Sequence, residues 1–280
     1  MKKVYGNRKA LIEHLKEKAL WVRKETLKIH KIAPETRIAS CLSDIEIFVA
    51  LYYGGILKFD PNNTDWKDRD RFIISKGHGA TLLYPILADF GFFDKKELER
   101  VCQKDSFLGI IPDIIIPGFE TNNGSLGHGL GVSCGISLAL MRKKSNAKVF
   151  VLLGDGELNE GSIWESIMFA AEHKLGNLMV IIDNNKVSML DYCKNIINLT
   201  PIEGKFKVFG WDVETIDGHN VKELYNSLMA FKEEGNGQKP KVLIADTVKG
   251  KGVAMLENDP LCHVKSLSKD EATLAIKDMV

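Results

Sequence analysis

Apolar residues recur at helical spacing from about residue 8 to 33, where Leu11, Ile12, Leu15, Ala19, Leu20, Val22 and Leu27 fall near one face. A second helical pattern runs from Ser43 to Tyr53, and the serine before it predicts an N-cap. RFIIS (71–75) predicts a short strand, followed by KGHG and an apolar helix. Residues 124–141 are rich in glycine and small side chains, which suits a loop entering a closely packed helix. VFVLL (149–153) and LMVIID (178–183) are unbroken apolar runs, the pattern of strands buried on both faces. A helical pattern over about 162–174 separates them. WDVETI (211–216) and KVLIADTV (241–248) predict further strands with a helix over 221–231 between them, and Gly235-Asn236-Gly237 predicts a loop. The tail from about 256 predicts an irregular segment and a terminal helix. Strands alternating with helices imply an α/β fold, a parallel sheet covered by helices on both faces. With no internal repeat and no low-complexity linker, residues 1–280 are expected to form one domain with a helical N-terminal layer.

Two of the apolar runs end abruptly in polar residues. One gives Gly154-Asp155-Gly156 and the other Asp183-Asn184-Asn185. A strand, a crossover helix and a parallel strand take about 30 residues. Because the crossover is right-handed, both strands end on the same edge of the sheet, where α/β folds bind ligands. Asp155 and Asn185 are thus expected side by side. A carboxylate and an amide oxygen are hard ligands that suit Mg2+ or Ca2+ rather than zinc. So small a protein ligand set leaves coordination positions for phosphate oxygens and water, and the flanking Gly154 and Gly156 let phosphates approach the backbone.

Composition narrows the classes. Hydrophobic residues make up 45% of the chain, enough for a sizeable core, and a net charge of +1 gives no basic field for nucleic acid. The N-terminal stretch MKKVYGNRKALIEHLKEK is basic without the apolar core of a signal peptide, and no apolar run is long enough for a membrane span. Five scattered cysteines without a C-x-x-C pair fit reduced thiols in a cytoplasm and give no structural zinc pattern.

G-D-G followed some thirty residues later by N-N resembles the thiamine-diphosphate fingerprint. SKGHG (75–79), GSLGHGLG (124–131), GDGELNEG (154–161), LGNLMVIIDNNK (175–186) and TVKGKGV (247–253) resemble, in order, the N-terminal section of the transketolases. That resemblance implies the thiamine-diphosphate-binding fold and transfer of a two-carbon ketol unit. It implies that Asp155, Asn185 and the main-chain carbonyl of Val187 hold Mg2+, for which Ca2+ or Mn2+ can substitute. Gly156 and Glu157 would meet the diphosphate through backbone amides. His78 would lie near the diphosphate and thiazolium, and Gly124, Leu126 and Gly127 along the cofactor. His128 and Lys249 are further candidates. His263, in ENDPLCHVK, resembles a substrate-contacting histidine, although Cys262 stands where the family has Trp. Glu160 matches a glutamate at the family's subunit contact.

Transketolases continue into a pyrimidine-binding domain and a C-terminal domain. A chain of 280 residues therefore resembles the split form, with those domains on a separate partner, the activating glutamate supplied by it, and a heterotetramer of two chains of each kind. The isolated chain is expected to be inactive. Two positions depart from the family pattern: Arg37 stands where one sugar-contacting histidine is usual and Ile111 where another is. A fixed planar cation and an apolar side chain in those places imply a non-standard sugar or sugar phosphate, such as a deoxy, sulfonated or carboxylated one. The alternative readings are a 2-oxo acid decarboxylase or dehydrogenase-type subunit, or a regulatory subunit without catalysis.

Overall fold

Among the described residues five strands, β1 (Arg71–Ile74), β2 (Val149–Gly154), β3 (Leu178–Asn184), β4 (Asp212–Asp217) and β5 (Lys241–Asp246), pair in the order β1-β2-β3-β5-β4, every pair parallel. The computed structural model describes residues 7–235, 237–257 and 259–279; the first six residues and the centre of the Gly235-Asn236-Gly237 loop lie outside them. The helices are α1 (Arg8–Ile32), α2 (Ile38–Leu42), α3 (Ile45–Tyr53), α4 (Leu83–Phe90), α5 (Gly129–Arg142), α6 (Gly161–Glu172), α7 (Cys193–Ile196), α8 (Ile202–Val208), α9 (Val221–Glu233) and α10 (Lys269–Asp278).

Alternation along each strand divides the core in two. Phe72, Phe150, Leu152, Met179, Ile181 and Leu243 face one layer, built from α1, α3, α4, α9 and α10. Ile73, Val149, Val151, Leu153, Val180, Ile182 and Ile244 face the other, built from α5, α6 and α8. The unbroken apolar runs are unbroken because neither face of β2 or β3 meets water.

Ser43 does not cap a helix. The chain turns between α2 and α3, Asp44 precedes α3 without a side-chain capping bond, and the Ser43 hydroxyl donates instead to Ser40 O at 3.2 Å and to Asp183 Oδ2 at 2.8 Å. The demand of a buried carboxylate outweighs a helix end that the α2 turn already serves. β4 is an edge strand, mostly exposed, and Trp211 before it is buried, its Nε1 donating to Ile167 O at 3.0 Å. β5 ends at Asp246, so Thr247 and Val248 begin a loop. α2, α7 and α8 have seven residues or fewer, too short for periodicity to register.

At the carboxyl edge four strand ends converge. Gly154 pairs with Asp183 across β2 and β3, and Asp155 N donates to Asp183 O at 3.2 Å. Ser75 N, just past β1, donates to Leu152 O at 2.9 Å, and Thr247 N, just past β5, donates to Asn184 O at 3.3 Å.

Candidate functional site

Above this edge lies a cavity of about 590 Å3, its open mouth included. Its walls include His78, Leu126, Gly154, Asp155, Gly156, Glu157, Asn185, Val187, Lys249 and His263, all expected at the site, together with Ser40 and Lys76.

Beneath the cavity floor lies a carboxylate that sequence reasoning left without a role. Asp183 is fully buried and accepts from four donors on four segments: Ser43 Oγ at 2.8 Å, Asn185 Nδ2 at 2.6 Å, Lys76 Nζ and Thr247 Oγ1. Lys76 Nζ also pairs with Asp44 at 2.7 Å. Burial alone would raise the Asp183 carboxyl, but Lys76 and the hydroxyl donors hold it below the usual carboxylate range. Burial and the neighbouring Asp183 charge push Asp44 well above its ordinary value, although Lys76 works against them. The acid closing an unbroken strand and the lysine inside KGHG are visible in the sequence, but nothing there joins them.

Glu157 acts through its side chain. It is 1% exposed; Oε1 accepts from Ser75 Oγ at 2.5 Å and Gly127 N at 2.8 Å, and Oε2 from Gly154 N at 3.2 Å. One carboxylate thus ties the KGHG, GSLG and GDG loops together. Gly127 has φ +86, and a Cβ there would sit 2.6 Å from Ser162 Oγ and 2.8 Å from Glu160 Cβ, so the turn requires glycine.

Asp155 Oδ1 accepts from Gly156 N at 2.8 Å and Oδ2 from Lys186 N. Burial, with the Asp183 charge behind it, pushes its pKa up to about 6. The Asn185 amide is oriented, because Nδ2 gives to Asp183 while Oδ1 receives Val187 N at 3.1 Å. The Val187 carbonyl accepts from Lys249 Nζ at 2.7 Å, and Ser188 O accepts from the same nitrogen at 3.3 Å. Asp155, Asn185 and Val187 thus line one cavity with a carboxylate, an amide oxygen and a main-chain carbonyl, hard oxygen donors of the kind that fit Mg2+, Ca2+ or Mn2+. Lys249 is 6% exposed and makes no carboxylate ion pair among the described residues; burial and Lys76 lower its pKa. A buried ammonium held only by carbonyls fits an anionic group such as a diphosphate.

The thiamine diphosphate binding domain profile of the transketolases matches residues 38–279. The chain belongs to the transketolase family. It is 36% identical over 269 residues to an apulose-4-phosphate transketolase subunit of Actinobacillus succinogenes, covering 95% of this chain and 96% of that one. It is 33% identical over 266 residues to the 6-deoxy-6-sulfo-D-fructose transketolase subunit SqwG of a Clostridium species, covering 95% and 96%. The solved transketolase of Campylobacter jejuni superposes with a TM-score of 0.87 at 28% identity over 95% of this chain, which spans 43% of that longer protein.

The remaining transketolase positions divide into those near the cavity and those away from it. The His78 and His263 rings meet edge to face, 5.5 Å between centroids, and His263 Nδ1 lies 3.2 Å from Ser40 Oγ. Burial, then Lys249, His78 and Arg37, push His263 down to about 3; burial and Arg37 also lower His78. Arg37 opens α2 and reaches both imidazoles through its charge, but it is not part of the cavity wall. Gly124 faces Ile111, whose Cδ1 would lie 3.2 Å from a Cβ at that glycine. His128 is exposed at the start of α5 and is not brought into the wall. Glu160 is likewise exposed, at the start of α6.

Proposed function

We propose that this chain is the N-terminal subunit of a split transketolase, which moves a two-carbon ketol unit between sugar or sugar-phosphate substrates. The observation that carries this is the placement of Asp155, Asn185, Val187 and Lys249, which makes no carboxylate ion pair among the described residues, around one mouth of the sheet. Asp155, Asn185 and Val187 would hold Mg2+, and Gly154, Gly156, Glu157 and Leu126 would line the thiamine diphosphate, with Lys249 and His78 toward its phosphates. That cofactor, when bound, supplies the stabilised carbanion that the ketol transfer needs. The protein's share is positional. His78 and His263 are held neutral by burial and the neighbouring cations, so each would offer an uncharged imidazole to hydrogen-bond a substrate hydroxyl. Lys76 balances the buried carboxylates, and Lys249 would balance the anionic cofactor.

Residues 1–280 act in this reading as one diphosphate-binding domain in the cytoplasm. Two such chains join two partner chains that carry the pyrimidine-binding domain. Arg37 and Ile111 direct the site toward a non-standard sugar, consistent with the substrates named for the Actinobacillus and Clostridium relatives. The test is calorimetric titration of thiamine diphosphate with Mg2+ into the chain, with and without the partner, followed by turnover of candidate ketoses. Binding that appears on assembly, with turnover only in the pair, is expected. Turnover by the rigorously purified single chain, or no cofactor binding in either case, would refute the reading.

A further inference from the structure

Residues 259–268 cross the surface without helix or strand and carry His263 to the cavity. Within this strap, Cys262 N donates to Asp259 O at 3.1 Å and Val264 N to Leu261 O at 3.1 Å, local turns that do not fix it to the domain. At its ends, Asp259 N donates to Leu256 O at 3.5 Å and Ser268 caps α10. Between them, among the described residues, its polar attachments to the rest of the fold are His263 against Ser40 and a set that converges on the last turn of α1 and the residues after it. Ser266 Oγ donates to Pro34 O at 2.8 Å, and Leu267 N donates to Nε2 of His30 at 3.0 Å. Cys262 and Leu267 are buried at 1% and 4% exposure, while Ser266 is exposed.

His30 is fully buried. Because Leu267 N–H points at Nε2, that nitrogen carries no proton, and the ring proton sits on Nδ1, 2.7 Å from Thr36 Oγ1. Thr36 passes its own proton to Ala33 O at 2.8 Å, so each donor in the series has an acceptor. The imidazole is therefore a neutral acceptor built into the end of α1, and an N–H of the strap is what it accepts. A leucine of similar volume would leave the Leu267 N–H buried without a partner.

We propose that His30 is a positioning residue that seats the 259–268 strap through Leu267 and so holds His263 at the cavity. The consequence for turnover rests on the proposed role of His263; the seating does not.

Cys262 reports the seat directly. Thiol alkylation of the full-length chain, mapped by mass spectrometry, is read at Cys262 and at two internal references, Cys41 and Cys134, both buried elsewhere. His30→Leu is expected to raise the Cys262 rate about tenfold, the opening that loss of one buried acceptor produces, with Cys41 and Cys134 unchanged. His30→Gln, whose side-chain oxygen can accept in place of Nε2, restores protection. Ser266→Ala, an exposed change that does not threaten folding, opens Cys262 by a smaller factor. Native protection of Cys262 in both His30→Leu and Ser266→Ala overturns the proposal, as does a parallel rise at all three cysteines in both, or failure of His30→Gln to restore protection. In the assembled enzyme, His30→Leu should raise the sugar KM with thiamine-diphosphate affinity unchanged. An opened strap with native KM would remove the role of His263 and support the seat alone.

Discussion

Replacing Asp183 by Asn tests the arrangement under the cavity floor. The carboxylate accepts from Ser43, Lys76, Asn185 and Thr247; an amide offers one oxygen and places an NH2 among those donors. Breaking a buried ion pair by removing one partner typically costs about 3–5 kcal/mol. Here Asp44 stands 2.7 Å from the same ammonium, so Lys76 keeps one carboxyl partner after the change, and the loss should fall at the lower end, near about 3 kcal/mol. The second effect is on orientation: Asn185 loses the acceptor that fixes which end of its amide faces the cavity, and loss of such a supporting partner weakens metal binding about 10–100-fold. Urea unfolding followed by tryptophan fluorescence gives the first number, and Mn2+ titration in the presence of thiamine diphosphate gives the second. An unfolding free energy within about 0.5 kcal/mol of native, with native Mn2+ affinity, would show that Asp183 neither holds Lys76 nor orients Asn185.

Glu157→Gln should cost about 2–3 kcal/mol in urea unfolding, since one of the Ser75, Gly127 and Gly154 donors is left facing an NH2; native stability would mean that the three loops are held some other way. Asp155→Ala should abolish Mg2+-dependent thiamine-diphosphate binding by the assembled enzyme, read by calorimetry, and unaltered binding would remove Asp155 from the metal site. His263 has a folded pKa of about 3 against 6.5 unfolded, so the unfolded chain binds the extra proton and the protein loses stability as pH falls below about 6.5. His263→Gln should therefore lose less stability than the native chain between pH 7 and 5; equal losses in urea unfolding would mean that His263 is not held neutral.

The sheet and its two helical layers were legible because double burial and helical spacing leave marks on neighbouring residues. Asp155 and Asn185 were legible for the same reason: each ends an unbroken apolar run, and the handedness of the crossover puts them together. The contacts around Asp183 left no such mark. Ser43, Lys76 and Thr247 reach it from 140, 107 and 64 residues away, and no local pattern records a partner at that distance. Ser43 shows how a local rule fails: serine before an apolar run is the N-cap signal, yet its hydroxyl goes to the carboxylate in the core. His128 lies apart from the cavity for a different reason. It follows the GSLG turn in sequence, but the start of α5 carries it out to solvent while Leu126 stays in the wall.

In the proposed reading, the buried charges make the anion and the divalent cation at this edge of the sheet depend on one another. Lys76 is balanced internally by Asp183 and Asp44. Lys249, by contrast, ends on the Val187 and Ser188 carbonyls. The first of these belongs to the same oxygen set as Asp155 and Asn185, so the ammonium stands where positive charge is favoured. A divalent cation at that oxygen set would repel Lys249, and the ammonium would need an anion to turn toward. A diphosphate meets both demands, ligating the cation and accepting from the lysine. Neither ion alone does, since a metal alone leaves Lys249 repelled and a diphosphate alone leaves Asp155 against it. Mg2+ and thiamine diphosphate should therefore bind with positive coupling, each tightening the other.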